Sequence, residues 1–242
     1  RTGRMPSAVA GHSLGEYSAL VAAGVLTMAQ AAPLVRLRAL AMQEAVPVGV
    51  GAMAAVLGLD AARAVEVCAE VTRSFGADSV ERVEAANFND PMQTVISGSK
   101  AAVEKACSAL KEAGARRALL LPVSAPFHST LMAPAAKKLR DALESLEFQS
   151  PLVALVNNVD VAIEVDIDRI RDALVRQAFC PVRWVECILA LKARGVSTTV
   201  ECGPGKVLAS LTGRIDPSMV GLALHDLASL ASVQAALSGT QA

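Results

Sequence analysis

Ala8-Val9-Ala10-Gly11-His12-Ser13-Leu14-Gly15-Glu16-Tyr17 is the stretch around which the remaining sequence arranges itself. A short apolar run enters, a glycine-flanked serine stands at the bend, and an apolar helical pattern leaves. This is Gly-x-Ser-x-Gly in a strand-turn-helix context, the nucleophile elbow that holds a serine hydroxyl out at the tip of a sharp turn. Gly11 and Gly15 are expected to keep side chains out of that turn. The Leu14 N–H, opening the next helix, then points at whatever Ser13 attacks and is a candidate oxyanion donor, aided by the positive end of the helix. A glycine-bounded turn with an incidental serine is the plainer alternative. The agreement of strand, glycines and helix favours the nucleophile.

The chain of 242 residues is long enough to bury a full core, as one large α/β domain or two smaller ones. Its residues are 53% hydrophobic but only 3% aromatic, so the core must be built from Ala, Val and Leu. Zero formal net charge argues against a nucleic-acid binder. No apolar run approaches the ~18 residues of a membrane span, and no signal peptide is visible. The five cysteines, Cys68, Cys107, Cys180, Cys187 and Cys202, include no Cys-x-x-Cys pair, and three histidines form no metal-ligand pattern. Neither a disulfide framework nor a zinc site is expected. A cytoplasmic protein without metal is the reading. The sequence opens on Arg1 and almost at once on the elbow strand, so a preceding segment is expected to be missing from it.

Downstream, Leu14 to Ala23 reads as a helix ended by Gly24. Thr27 and Gln30 form a capping box that opens a second helix to about Ala45. Leu34, Leu37, Ala41 and Ala45 make its apolar stripe, and Arg38 falls beside that stripe while Arg36 faces water. A guanidinium on a buried face needs an anionic partner. Spacing alone favours a structural Asp or Glu over a ligand.

From residue 50 the rhythm changes. A strand (Ala52–Leu59), a helix capped by Asp60, two strands around Asn89-Asp90-Pro91, a helix capped by Ser99, and a strand (Ala118–Val123) give β-α-β-β-α-β, the ferredoxin-like unit. The fold expected is α/β: a larger α/β-hydrolase-like parallel-sheet domain (1–48 and 122–242) with that unit inserted (49–121). The loop Ser124 to Ser129 places His128 at a strand-to-helix junction, where side chains converge on the carboxyl edge of a sheet. Beside a credible nucleophile it is the leading general base. A helix (Met132–Leu146), a strand (Leu152–Asn157), a helix from Asp166 to Gln177, a helix from Val182, a strand (Thr198–Cys202), a strand (Met219–Leu224) and a final helix complete the chain. Gly203-Pro204-Gly205-Lys206 lacks phosphate-loop spacing and reads as a tight βα turn, with phosphate binding a minor alternative.

Gly11 to Glu16 resembles the active-site signature of the malonyl-CoA:acyl-carrier-protein transacylases of bacterial fatty-acid synthesis. The resemblance continues through Val35-Arg36-Leu37-Arg38, Met42-Gln43-Glu44-Ala45, Asn87-Phe88-Asn89, Val123 to Met132, Val156 to Asp160, Ile170 to Gln177 and Glu201 to Leu208. It implies Ser13 as the acyl-accepting nucleophile, His128 as its base, and Gln177 orienting that histidine through its backbone carbonyl. It also implies Leu14 N–H in the oxyanion hole, and Arg38, which it turns from a structural residue into the clamp on the malonyl carboxylate. His12, Met42 and Phe127 are implied in substrate binding, the Phe127 ring crowding an α-methyl group. The implied partners are malonyl-CoA and acyl carrier protein, in a ping-pong transfer with no cofactor; a monomer, without nucleic acid or membrane, is expected. Arg116, Arg117, Lys137, Lys138, Arg183 and Lys206 are the pool for docking an acidic carrier. The family begins with a strand and a Gly-Gln-Gly-Ser-Gln loop bearing a second oxyanion N–H, and this sequence contains no such loop. Two alternatives share some features: a serine hydrolase using His225, and a non-catalytic remnant that binds carrier protein or CoA.

Overall fold

A computed structural model describes residues 5–238. The element order is β1 (Ala8–Ala10), α1 (Gly15–Ala22), α2 (Met28–Glu44), β2 (Gly51–Leu57), α3 (Ala61–Arg73), β3 (Val83–Asp90), β4 (Gln93–Ser99), α4 (Lys100–Glu112) and β5 (Arg117–Leu120), followed by α5 (Ala133–Glu144), β6 (Ala154–Val156), α6 (Ile167–Gln177), α7 (Trp184–Ala193), β7 (Thr198–Cys202), α8 (Val207–Ile215), β8 (Val220–Leu224) and α9 (Leu227–Ser238). The chain is a mixed α/β protein with parallel strand pairs and a separate small antiparallel sheet.

The parallel-sheet elements expected are present as strand pairs. β1 pairs with β6, and β7 with β8, as two separate pairs, because no strand among the described residues bridges them. The first pair decides where the site lies. Ala8 is opposite Ala154 and Ala10 opposite Val156, so the loops leaving both carboxyl ends emerge side by side. The elbow follows one strand and Asn157-Asn158 follows the other. α1, α2, α5 and α6 pack around this pair over Tyr17, Leu20, Leu34, Met42, Leu139 and Leu174.

Local signals account for most helix ends. The Thr27 hydroxyl accepts the Gln30 N–H while the Gln30 side chain takes the Thr27 N–H, closing the capping box. Asp60 and Asp166 cap α3 and α6 through their carboxylates. Ser99 stands at the cap position of α4 but does not cap it; its hydroxyl turns instead toward Glu81. Val182 does not start a helix either. Its backbone exchanges hydrogen bonds with Ala86 and Phe88 of β3, both at 2.9 Å, and α7 begins only at Trp184.

Strands β2 to β5 form an antiparallel sheet in the order β3-β4-β2-β5. α3 and α4 cover one face, burying Ala64, Val67, Val71, Ala102, Ala106 and Leu110, with Cys68 and Cys107 as small core residues among them. The other face presents Met53, Ala86 and Val95 to Phe127. Besides the Val182 contacts, Glu84 accepts both the backbone and hydroxyl of Thr130 at 2.8 Å, and Asp90 pairs with Arg214 at 3.1 Å. These links bring β3 against the elbow.

Candidate active site

Ser13 is held at φ 51°, in the left-handed region that costs a non-glycine residue about 1–3 kcal/mol. The turn around it explains how that is sustained. Asn158 receives the Ser13 N–H on its Oδ1 and donates its Nδ2 to the Gly11 carbonyl, both at 2.8 Å, so one side chain closes the bend from both sides. Gly11 must be glycine: a Cβ there would stand 2.0 Å from the backbone of Gly15. Gly15 has no such need, since a Cβ on it would meet nothing within 4 Å, and the steric role expected for it is corrected accordingly. The exposed Leu14 sits at the N-cap of α1, and its backbone N–H finds no protein acceptor among the described residues.

His128 comes from 115 residues away, and its Nε2 stands 2.7 Å from Ser13 Oγ. Its Nδ1 lies 2.8 Å from the carbonyl oxygen of Gln177. That carbonyl belongs to the last turn of α6, where helix carbonyls lack intrahelical partners. A carbonyl only accepts, so Nδ1 carries the proton and Nε2 is free to accept the serine hydroxyl. Burial pushes His128 down to about 3, with the nearby Arg38 charge acting the same way. The imidazole is therefore neutral at neutral pH, with the Nε2 lone pair free to accept. Like the serine, it has a positive φ, 59°.

Arg38 is buried, and its Nη2 donates to Ser13 Oγ at 3.0 Å and to Gln177 Oε1 at 3.1 Å. Its guanidinium carbon stands 5.6 Å from the centre of the Tyr17 ring, and its Nε is buried without a partner. No carboxylate of the described residues comes within ion-pair distance of it. The structural Asp or Glu favoured by spacing does not pair with it directly; Glu16 is reached only through the Gln177 amide. The Ser13 oxygen thus donates to a neutral imidazole while accepting from a cation, an arrangement that eases loss of its proton.

The remaining expected residues are placed unequally. His12 turns its Nε2 to Asn89 Oδ1 of β3 at 2.8 Å and packs its ring 5.4 Å from Trp184; burial lowers its pKa. Phe127 lies between the main core and the free face of the small sheet. Met42 follows Arg38 by one turn and is buried in the core at 1% exposure. Gln177 does more than its carbonyl was expected to do, because its fully buried side chain also enters the site. Nothing in the spacing of Asn158, Asn89 and Glu16 marks them as partners of Ser13, of His12, and of Asn158 and Gln177 respectively, although all three lie within the family-like segments.

Residues away from this cluster are engaged differently. His225 pairs with its neighbour Asp226 at 3.6 Å, whereas Ser13 is engaged by His128. The α8 turn offers no phosphate cradle, since the Glu201 carboxylate already accepts the Ala209 N–H at 2.8 Å. Of the six basic docking candidates, Lys138 is paired with Glu44 and Arg183 with Glu186. No helix among the described residues is long and apolar enough to cross a membrane.

Known proteins resemble this chain over most of its length. The family model for the acyl transferase domain matches residues 1–214. The chain is 50% identical over 230 residues to the malonyl CoA-acyl carrier protein transacylase of Escherichia coli K12, covering 95% of this chain and 72% of that protein. Its fold is similar to the crystal structure of an acyl-carrier-protein S-malonyltransferase from Burkholderia pseudomallei, at 56% identity and a TM-score of 0.92, over 96% of this chain and 74% of that one. A malonyl-transacylase solved in complex with its type II PKS acyl-carrier protein matches at the same TM-score of 0.92 and 50% identity, covering 97% of this chain and 74% of that one. An elbow serine, a neutral histidine and a buried arginine without a protein carboxylate thus stand in a chain that belongs to the acyl transferase family, among the malonyl-CoA:acyl-carrier-protein transacylases.

Proposed function

We propose that this protein moves a malonyl group from malonyl-CoA to the phosphopantetheine thiol of an acyl carrier protein through an ester on Ser13, in fatty-acid synthesis. The observation that carries the reading is the meeting of Ser13 Oγ with both His128 Nε2 and an Arg38 guanidinium that no carboxylate of the described residues pairs directly. Malonyl-CoA is a thioester with a free carboxylate, and a planar guanidinium both selects and orients such a group.

His128 takes the Ser13 proton as Oγ attacks the thioester carbon. The tetrahedral oxyanion faces the Leu14 N–H. The C–S bond breaks, the CoA sulfur leaves with the proton held on His128 Nε2, and a malonyl-serine ester remains. The carrier thiol then gives its proton to His128 and attacks that ester, and Ser13 recovers its proton as the C–O bond breaks. Each half-reaction balances without metal or redox cofactor, and the sequence is ping-pong. Phe127 and His12 bound the acyl site on the side of the small sheet; Met42 supports Arg38 from the core.

We also read the β1/β6 portion (1–48 and 122–242) as α/β-hydrolase-like, the inserted 49–121 unit as ferredoxin-like, and the protein as a cytoplasmic monomer. Incubation with radiolabelled malonyl-CoA tests the function. Label should stay on Ser13 and pass to added holo-carrier protein, and Ser13→Ala should retain none. Free malonate without a stable ester would mean a hydrolase, and neither product a non-catalytic binder.

A further inference from the structure

One buried titratable side chain has no part in that chemistry. Glu16, in the first turn of α1, is 2% exposed. A single oxygen of it, Oε2, accepts from two donors: the Asn158 N–H at 3.1 Å and the Gln177 side-chain Nε2 at 2.8 Å. The Gln177 amide also gives Nε2 to the Ser13 carbonyl at 3.0 Å, and takes Arg38 Nη2 on Oε1 at 3.1 Å. Only one orientation of this amide satisfies its neighbours. Its NH₂ faces the Ser13 carbonyl, which only accepts, and the Glu16 oxygen that already accepts the Asn158 N–H, while its own oxygen faces a guanidinium that only donates. Flipping it would set donor against donor and oxygen against carboxylate in a site without bulk water, where unpaired polar groups are most costly.

Among the described residues Arg38 has two acceptors, Ser13 Oγ and Gln177 Oε1. The second depends on the amide orientation, and that depends on Glu16. We propose that Glu16 is a specificity-setting positioning residue: by pinning the Gln177 amide it holds the Arg38 guanidinium facing Ser13, and it thereby governs the preference for malonyl without touching the substrate. This rests on Arg38 being the partner of the malonyl carboxylate. Arg38, Tyr17, Asp160 and Cys187 are the charged and titratable groups that sense Glu16; burial raises its carboxyl to about 7, and the Arg38 charge pulls the other way. Either protonation state retains an oxygen that accepts.

The test compares malonyl-CoA with acetyl-CoA, which has no carboxylate, on Glu16→Ala, Glu16→Gln, Gln177→Met and Arg38→Ala. Gln177→Met keeps the backbone carbonyl for His128 and removes only the amide, so it carries the test if Glu16→Ala does not fold. Glu16→Ala and Gln177→Met should each lower the malonyl-to-acetyl ratio of kcat/KM by about 10- to 100-fold, as expected for one lost hydrogen bond to a charge. The loss should sit in KM for malonyl-CoA. The double variant should fall no further than either single one, since both act on one network. Glu16→Gln, which supplies an amide oxygen in the same place, should restore most of the ratio; a merely structural defect would not discriminate between the two thioesters. An equal fall for malonyl and acetyl, additive losses, or Glu16→Gln as impaired as Glu16→Ala overturns the proposal while Arg38→Ala still shifts the ratio. If Arg38→Ala also leaves the ratio unchanged, the carboxylate reading of Arg38 falls, and this inference with it.

Discussion

Two glycine-bearing turns lead from a parallel strand into a helix in this molecule, and they differ in what stands at the helix entrance. After β1, Gly11 to Gly15 carries Ser13 at positive φ, and the Leu14 N–H is left without an acceptor. After β7, Gly203-Pro204-Gly205-Lys206 takes no positive φ, and Glu201 reaches from the strand to the Ala209 N–H. The second turn is plugged by its own carboxylate. The first is left open, with a nucleophile, a base and a cation arranged around it. Glycine content does not separate the two; an unfilled helix start beside a strained, supported side chain does.

The sharpest way to break this contrast is to add one methyl to each turn. Gly11→Ala would drive its Cβ to 2.0 Å from the backbone carbonyl of Gly15, where nothing flexible can give way. The expected cost exceeds the ~1–3 kcal/mol of ordinary overpacking, with acyl-enzyme formation lost. Gly205→Ala meets only the Glu201 carboxylate at 3.8 Å, an ordinary contact. It should change stability by less than about 0.5 kcal/mol and leave transfer intact. Gly15→Ala enters open space and should resemble Gly205→Ala in stability. Thermal unfolding of the three variants ranks them; a stable, active Gly11→Ala would remove the close approach from the account of the elbow.

The cation is the next difference. Arg38 reaches the first turn from a buried helix face, whereas Lys206 lies exposed beside the second. Stranding one partner of a buried charge pair costs roughly 3–5 kcal/mol. That corresponds to a loss of about 10²–10⁴ in malonyl transfer for Arg38→Ala. Acetyl transfer should be spared, so selectivity inverts. Lys206→Ala should leave acylation by either thioester unchanged. Assaying both thioesters on both variants decides it, and an equal fall for malonyl and acetyl in Arg38→Ala would make the arginine a structural residue.

How far the sequence foretells this contrast depends on the range of the interactions. The elbow, the capping box at Thr27 and the aspartate caps are local patterns, and they are found within a residue or two of where they were read. Arg38 was legible as a buried charge because Leu34 and Ala41 fix its face, but the missing counter-ion was not. Asn158, Glu16 and the Gln177 amide escaped because their partners lie 139 to 164 residues away, and no periodicity encodes that. Ser99 misled because its hydroxyl had a stronger competitor in Glu81 than the helix N–H. Gly15 misled because sequence shows that two glycines are present, not which one suffers the close approach.

The base distinguishes the first turn in a way that pH can read. With His128 near 3 against an ordinary 6.5, the folded state refuses a proton that the unfolded chain accepts. Its contribution to stability is therefore full above pH 6.5 and declines as pH falls toward 3, by on the order of 2 kcal/mol between pH 7 and 5. The ring should stay neutral throughout that interval. Nitrogen-15 NMR of the imidazole should show Nδ1 protonated and Nε2 bare from pH 8 to 5. A titration midpoint near 6.5 would place the ring in water and remove the buried, carbonyl-oriented base.

The smallest effect is expected where the second turn is plugged. Glu201 acts as a cap supplied from the preceding strand: its carboxylate accepts the third N–H of α8, a donor that would otherwise be unsatisfied. Replacing it by alanine should cost about 1 kcal/mol, the usual value of a cap. The same change would empty this helix start and make it resemble the first turn. It has no nucleophile, no base and no buried cation, so unplugging it should create no activity and remove none. Glu201→Ala should therefore lower the unfolding midpoint slightly, with the rate of Ser13 malonylation unchanged. Should that rate fall along with stability, the two turns are coupled through the fold, and an open helix start would no longer be what sets the first apart.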